Sequence, residues 1–205
     1  MKTFLFQGDS ITDCERSRQN DTNMGYGYPT LAAAKLSFRY PGEFNFVNRG
    51  VGGDRSTSLY ARCSKEMVEC NPDYMSILIG VNDVWHGLYN GTGVHPDRYE
   101  QILTMQIEDA LQAFPNVKIV VLEPFVLNGS ATNEKWDRFH TGVLAVAQKA
   151  REVAERFGLL FIPLQEKFNA LSTQTSPDCW LVDGVHPTYA GHELIASELL
   201  KGLNL

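Results

Sequence analysis

The sequence predicts a three-layered α/β/α fold, in which a five-stranded parallel sheet is covered by helices on both faces. Five short β-rich runs alternate with stretches whose apolar residues recur every three to four positions. No internal repeat, low-complexity tract or long Pro/Gly/Ser linker interrupts the alternation. A helix between two strands returns the chain to the same sheet by a right-handed crossover, so the alternation implies parallel pairing.

The first strand is residues 3–7, followed by the loop Gly8-Asp9-Ser10-Ile11-Thr12, and a helix is expected over 29–39, where Pro29 suits a first turn. The second strand, 44–48, runs into Asn48-Arg49-Gly50-Val51-Gly52-Gly53-Asp54 and a helix over 56–70. The third, 74–79, ends in Gly80-Val81-Asn82-Asp83, and the segment NGTGVHP at 90–96 reads as a surface excursion. Leu103, Ile107, Ala110, Leu111 and Phe114 mark one apolar face of a helix over 97–114. The fourth strand is 117–122. Val143, Ala147, Ala150, Ala154 and Phe157 then give a second long helix before the fifth strand, 159–163. A longer connection leads to Asp183-Gly184-Val185-His186-Pro187, and the last helix is expected to open at Pro187.

A chain of 205 residues with 43% hydrophobic content reads as a single domain, 1–205, with a sizeable core. The net charge of -6 and the lack of any Lys/Arg cluster argue against nucleic acid and anionic membranes as partners. The short apolar run near the N-terminus is broken by Gln7 and Asp9, so neither a secretory signal nor a membrane span is expected and the location reads as cytoplasmic. Cys14, Cys63, Cys70 and Cys179 form no C-x-x-C or zinc-like spacing and read as buried free thiols. The sequons at Asn20, Asn90 and Asn128 then stay unmodified.

In an open parallel sheet, function gathers beyond the carboxyl ends of the strands. Four loops should therefore face one crevice: GDSIT, NRGVGGD, GVND and DGVHP. A serine hydroxyl needs a base within reach and a group that orients the base. Asp183 and His186, three residues apart, supply both for Ser10, and Pro187 biases His186 toward an extended backbone. Oxyanion donors are available from the Ser10 N–H, the Gly53 N–H, which has no Cβ in the way, and the Asn82 side-chain amide.

In order and spread, these four blocks resemble those of the SGNH (GDSL) hydrolase superfamily. The resemblance implies a flavodoxin-like SGNH fold with Ser10 as nucleophile, Asp183 and His186 completing the triad, and Ser10, Gly53 and Asn82 as the oxyanion hole. The longer stretches GDSITDCER, GYGYP, NRGVGGD, SILIGVNDVW and VHPTYAGH are similar to intracellular acetylxylan esterases and related carbohydrate acetylesterases. That similarity implies removal of acetyl groups from short xylo-oligosaccharides by a homo-oligomer, without cofactor or metal. Residues 128–136 depart from the family pattern.

Each feature also has a plainer reading. Gly-Asp-Ser alone is a simple turn, which Asp9 can fix through backbone hydrogen bonds. Gly50, Gly52 and Gly53 could form a tight turn or a phosphate loop, but no nucleotide-binding motif accompanies them. Asp83 reads as a cap of the helix that follows it. Trp85 is either core or a wall of the acyl pocket. Asp13 and Arg16 are candidate substrate neighbours, and with Arg55 they could equally form ion pairs. His192 reads as a helix-surface histidine, and His86, His95 and His140 as surface or capping residues. The absence of G-x-S-x-G excludes the nucleophile elbow, and a serine at position 10 implies a shallow cleft for a bulky polar substrate with a small acyl group. Two other functions compete: a lysophospholipase, thioesterase or general short-chain carboxylesterase with the same site, and a non-catalytic flavodoxin-like binding module.

Overall fold

The computed structural model describes residues 1–205. In chain order the elements are β1 (Lys2–Gly8), α1 (Ser10–Asp13), α2 (Tyr28–Arg39), β2 (Phe44–Asn48), α3 (Ser56–Cys70), β3 (Tyr74–Leu78), α4 (Val81–Tyr89) and α5 (Pro96–Ala113). There follow β4 (Lys118–Leu122), α6 (Trp136–Arg156), β5 (Leu160–Ile162), α7 (Gln165–Ser172) and α8 (Tyr189–Leu203). All five strands pair in parallel in the order β2-β1-β3-β4-β5. The expected α/β fold is therefore the observed one.

Alternate residues of the central strands enter opposite cores, as the two-residue period of a strand requires. Phe4 and Phe6 face a core built with Leu36 of α2, Phe168 of α7 and Ile195 and Leu199 of α8. Leu5, Met75 and Ile77 face a second core with Leu59 and Met67 of α3, Leu103 and Ile107 of α5 and Ala150 of α6. The chain leaves β1 toward β2 on one side and later returns to β3 on the other. The strand order thus reverses between β1 and β3, where a crevice forms at the carboxyl ends of the strands.

Three expectations need correction. The last helix begins at Tyr189 with Thr188 as its N-cap, because Pro187 is held in an antiparallel bridge to Leu181. The connection after β5 contains α7, whose eight residues were too short to show a clear period. All four thiols are free, but only Cys63 is fully buried: Cys14 and Cys70 are half-buried and Cys179 is exposed. No helix is long and apolar enough to cross a membrane.

Candidate active site

β1 ends at Gly8, and Asp9 caps the single turn of α1 by accepting the Ile11 N–H at 3.0 Å. This cap places Ser10 at the first helical position, with its side chain over the crevice. Ser10 Oγ lies 3.0 Å from His186 Nε2, and His186 Nδ1 lies 2.8 Å from Asp183 Oδ2. The other Asp183 oxygen accepts the N–H groups of Val185 and His186 at 2.9 and 2.8 Å. The turn is closed on itself by the Val182 N–H to His186 carbonyl bond, beside the Leu181–Pro187 bridge. A carboxylate so supplied with donors fixes the imidazole with a proton on Nδ1 and a lone pair on Nε2 toward Ser10.

The charges of the two groups follow from this wrapping. Burial opposes ionisation of Asp183, yet the His186 ring and the two backbone N–H groups outweigh it and pull the carboxyl down to about 2. The Asp183 hydrogen bond raises His186 above its ordinary value, against the effect of burial. Asp9, almost wholly buried, is pushed up to about 7 by loss of water.

Gly53 adopts a φ of +81°, and a Cβ built there meets no atom within 4 Å. Glycine is needed for the left-handed backbone and not, as expected, to clear space. Its N–H makes no hydrogen bond within the chain. Asn82, in the first turn of α4, gives one amide hydrogen to the Asp54 carbonyl at 3.0 Å and retains a second. Gly50 is where the loops touch: a Cβ there would lie 2.2 Å from the Asp13 nitrogen. The four loops meet at one sheet edge, with Ser10 between His186 on one side and the Gly-rich loop on the other.

Arg62 joins the loops from below. Its Nε donates to Asp54 Oδ2 at 2.8 Å, Nη1 to the Arg49 carbonyl at 2.6 Å and Nη2 to the Gly8 carbonyl at 3.1 Å, while Glu66 balances its charge. Asp54 is thereby fixed between Gly53, which it follows in the chain, and Asn82, from which its carbonyl accepts. Asp83 does not cap α4. It sits inside that helix and accepts the N–H and hydroxyl of Ser56, tying the start of α3 to the site.

A cavity of about 730 Å³ opens at Ser10 and is lined by His186, Asp13, Arg16, Arg18, Tyr26 and Tyr189, among others. Asp13 spends its carboxylate on Arg18 at 2.6 Å and the Gly52 N–H at 2.8 Å. Arg16 donates from Nε to the Gly50 carbonyl at 2.8 Å. Trp85 does not line this cavity; its ring packs 5.9 Å from that of His186 and 5.7 Å from Phe139. Arg55 binds the Thr92 carbonyl, anchoring the 90–96 loop. The rims of the cavity carry Tyr26 and Tyr189, exposed rings 6.1 Å apart in an edge-to-face pair.

His192 is buried, not on the helix surface. Its Nδ1 accepts the Tyr28 N–H at 3.2 Å, so the proton lies on Nε2, 3.0 Å from Cys14 Sγ. Burial first, and then the neighbouring His186, lower it to about 4, so the ring is neutral. Burial, with the nearby carboxylates of Asp13, Glu15 and Asp9, pushes the Cys14 thiol up to about 12. His95 caps α5, and His140 stacks on Trp136 at 4.8 Å, in the capping and surface roles expected. No group of three or more His, Cys, Asp or Glu side chains is spaced to hold a metal ion.

Sequence reasoning missed Arg62, Arg18, Tyr26, Tyr189 and the burial of His192. Only the last had a readable sign, since positions 192, 195, 196 and 199 share one face of a helix.

Residues 6–194 match the profile of the GDSL-like lipase/acylhydrolase family. An acetylxylan esterase from Geobacillus stearothermophilus is 32% identical over 96% of this chain and 91% of its own length. The crystal structure of Axe2, an acetylxylan esterase from the same organism, superposes with a TM-score of 0.89 at 29% identity, covering 100% of this chain and 94% of that one. A thioesterase 1/protease 1/lysophospholipase L1 from Escherichia coli is 25% identical over 98% of this chain and 83% of its own length. A profile that spans β1 to α8 and takes in all four loops leaves one conclusion: the chain belongs to the GDSL-like lipase/acylhydrolase family and is a serine ester hydrolase.

Proposed function

We propose that the protein is a carbohydrate O-acetylesterase that removes acetyl groups from short xylo-oligosaccharides through an acyl-enzyme on Ser10. The observation that carries this reading is the hydrogen-bonded line from Asp183 through His186 to Ser10, opening onto a cavity lined by both charged and apolar groups, with a tyrosine rim. Tyrosine rings offer flat apolar faces with a polar edge, which suits the mixed faces of a pyranose. Catalytic mutants of Axe2 have been solved at a serine, an aspartate and a histidine, which supports the same triad here.

In the acylation step His186 Nε2 takes the hydroxyl proton as Ser10 Oγ attacks the ester carbonyl. The Ser10 and Gly53 N–H groups and the free Asn82 hydrogen receive the oxyanion; each such donor is worth roughly 3–4 kcal/mol. The imidazolium, stabilised by ionised Asp183, then protonates the departing sugar oxygen. Water enters, His186 deprotonates it, and acetate leaves. The chemistry asks for no metal or cofactor. Within this reading the enzyme works in the cytoplasm as a homo-oligomer, and its four unpaired cysteines suit a reducing compartment.

A chain-length series of p-nitrophenyl esters tests the acyl preference, and NMR of acetylated xylose and xylobiose tests the substrate. Activity should peak at acetyl. A peak at eight carbons or more overturns the sugar reading in favour of a lysophospholipase or thioesterase. Ser10→Ala and His186→Ala should each lower turnover by roughly three orders of magnitude or more without unfolding the chain. Fluorophosphonate should label the wild type and not Ser10→Ala; an unlabelled wild type with a bound chromophore would instead mark a binding module.

A further inference from the structure

We propose that the alcohol side of the substrate carries a sugar carboxylate, as in a uronate, and that Arg16 binds it. The inference rests on the O-acetylesterase reading and narrows its substrate class to acidic oligosaccharides.

The cavity at Ser10 is the leaving-group side of the site. It includes His186, the group that returns a proton to the departing oxygen, whereas Gly53, Asn82 and Trp85 lie outside its lining. Whatever follows the ester oxygen therefore extends past Arg16.

The charged groups of that cavity are nearly all spent. Asp183 is committed to His186, and Asp13 to Arg18 and the Gly52 N–H. Arg16 is the exception among the cations, with no carboxylate within 4.0 Å, although it is half-buried. Its Nε and Nη1 are held by the carbonyls of Gly50, at 2.8 Å, and Ser17, at 3.4 Å, and its Nη2 makes no hydrogen bond. Backbone carbonyls orient the fork but leave its charge uncompensated. Burial and the nearby Arg18 push the guanidinium down to about 10, with Asp13 opposing and Arg49 adding to the effect. A cation kept under these conditions is suited to receive an anion, and a guanidinium fork matches a carboxylate in shape as well as charge. The carboxylates whose charge reaches Arg16 are Asp13 and, across an adjoining groove that it also lines, Glu66, both already paired with other arginines; Glu15 is exposed on the cavity lining without an ion partner.

The experiment compares kcat/KM on acetylated xylobiose, on the same backbone bearing a glucuronate, and on an acetylated sugar phosphate, because a guanidinium also fits phosphate. Wild type, Arg16→Gln and Arg16→Lys are measured at low and high salt. The wild type should favour the uronate substrate over the neutral one by about tenfold at low salt and by less at high salt. The preference should collapse to about one in Arg16→Gln and partly survive in Arg16→Lys. Because each enzyme is compared with itself, a general loss of activity cancels. Binding of the deacetylated acidic and neutral oligosaccharides to Ser10→Ala repeats the comparison without turnover, so it reads the anion site even if acetyl proves the wrong acyl group. A wild-type ratio of one or less, a ratio that Arg16→Gln leaves unmoved, or a preference for phosphate over uronate overturns the proposal.

Discussion

In the proposed mechanism His186 serves two opposing demands. As a base it must be neutral at Nε2, yet the Asp183 carboxylate stabilises its cation and raises its pKa above the ordinary histidine value. Activity should therefore rise with pH along a limb centred above about 6.5, measured as kcat/KM on p-nitrophenyl acetate. Asp183→Asn removes the raising charge, so the limb should move to lower pH while the plateau drops; a limb that stays in place would show that another group titrates. This residue pair was legible in the sequence because its members sit three positions apart on one turn. The setting of Trp85 was not legible: that its ring packs beside His186 and Phe139 follows from the rotation of α4, which a nine-residue helix does not reveal.

Among the elements, α3 is the one whose position governs the donors proposed for the oxyanion. Arg62 projects from it to hold the backbone at Gly8 and Arg49 and the carboxylate of Asp54, and Asp83 of α4 fastens its first turn. Arg62→Met should lower kcat by about ten- to a hundredfold with a smaller change in KM, because the donors matter most when charge develops on the carbonyl oxygen. Arg62→Lys should restore less than half of the loss, since an ammonium cannot reach three acceptors spread over a planar fork. A rise in KM with kcat unchanged would point to a role in ground-state binding instead. The strands could be read from their β-rich composition and the long helices from their period, whereas Arg62 looked like any charged residue on a helix. Its role arises from three segments brought together by the sheet order, with its partner Gly8 54 positions away in sequence.

At the scale of the whole molecule, two buried groups tilt stability in opposite directions with pH. Asp9 rises to about 7 on folding from an ordinary 3.8, so between those values the folded chain holds a proton that the unfolded chain has released, and stability falls as pH rises. His192 falls to about 4 from 6.5, so stability also falls as pH drops through that range. Asp9→Asn keeps an acceptor for the Ile11 N–H and removes the first effect. Denaturant unfolding should show the variant gaining on the order of 3 kcal/mol relative to wild type between pH 4 and pH 8; parallel pH curves would rule the idea out. The layered fold was legible because the strands are β-rich and most helices bury regular faces, while the burial of Asp9 comes from loops and helix ends closing over the site. The turn that carries Asp183 and His186 is braced by its own backbone and meets Ser10 through a single hydrogen bond. Heating should part that contact before the sheet melts, while the carboxylate–imidazole pair stays together on its own turn. Thermal inactivation should therefore begin below the melting transition and reverse fully on cooling.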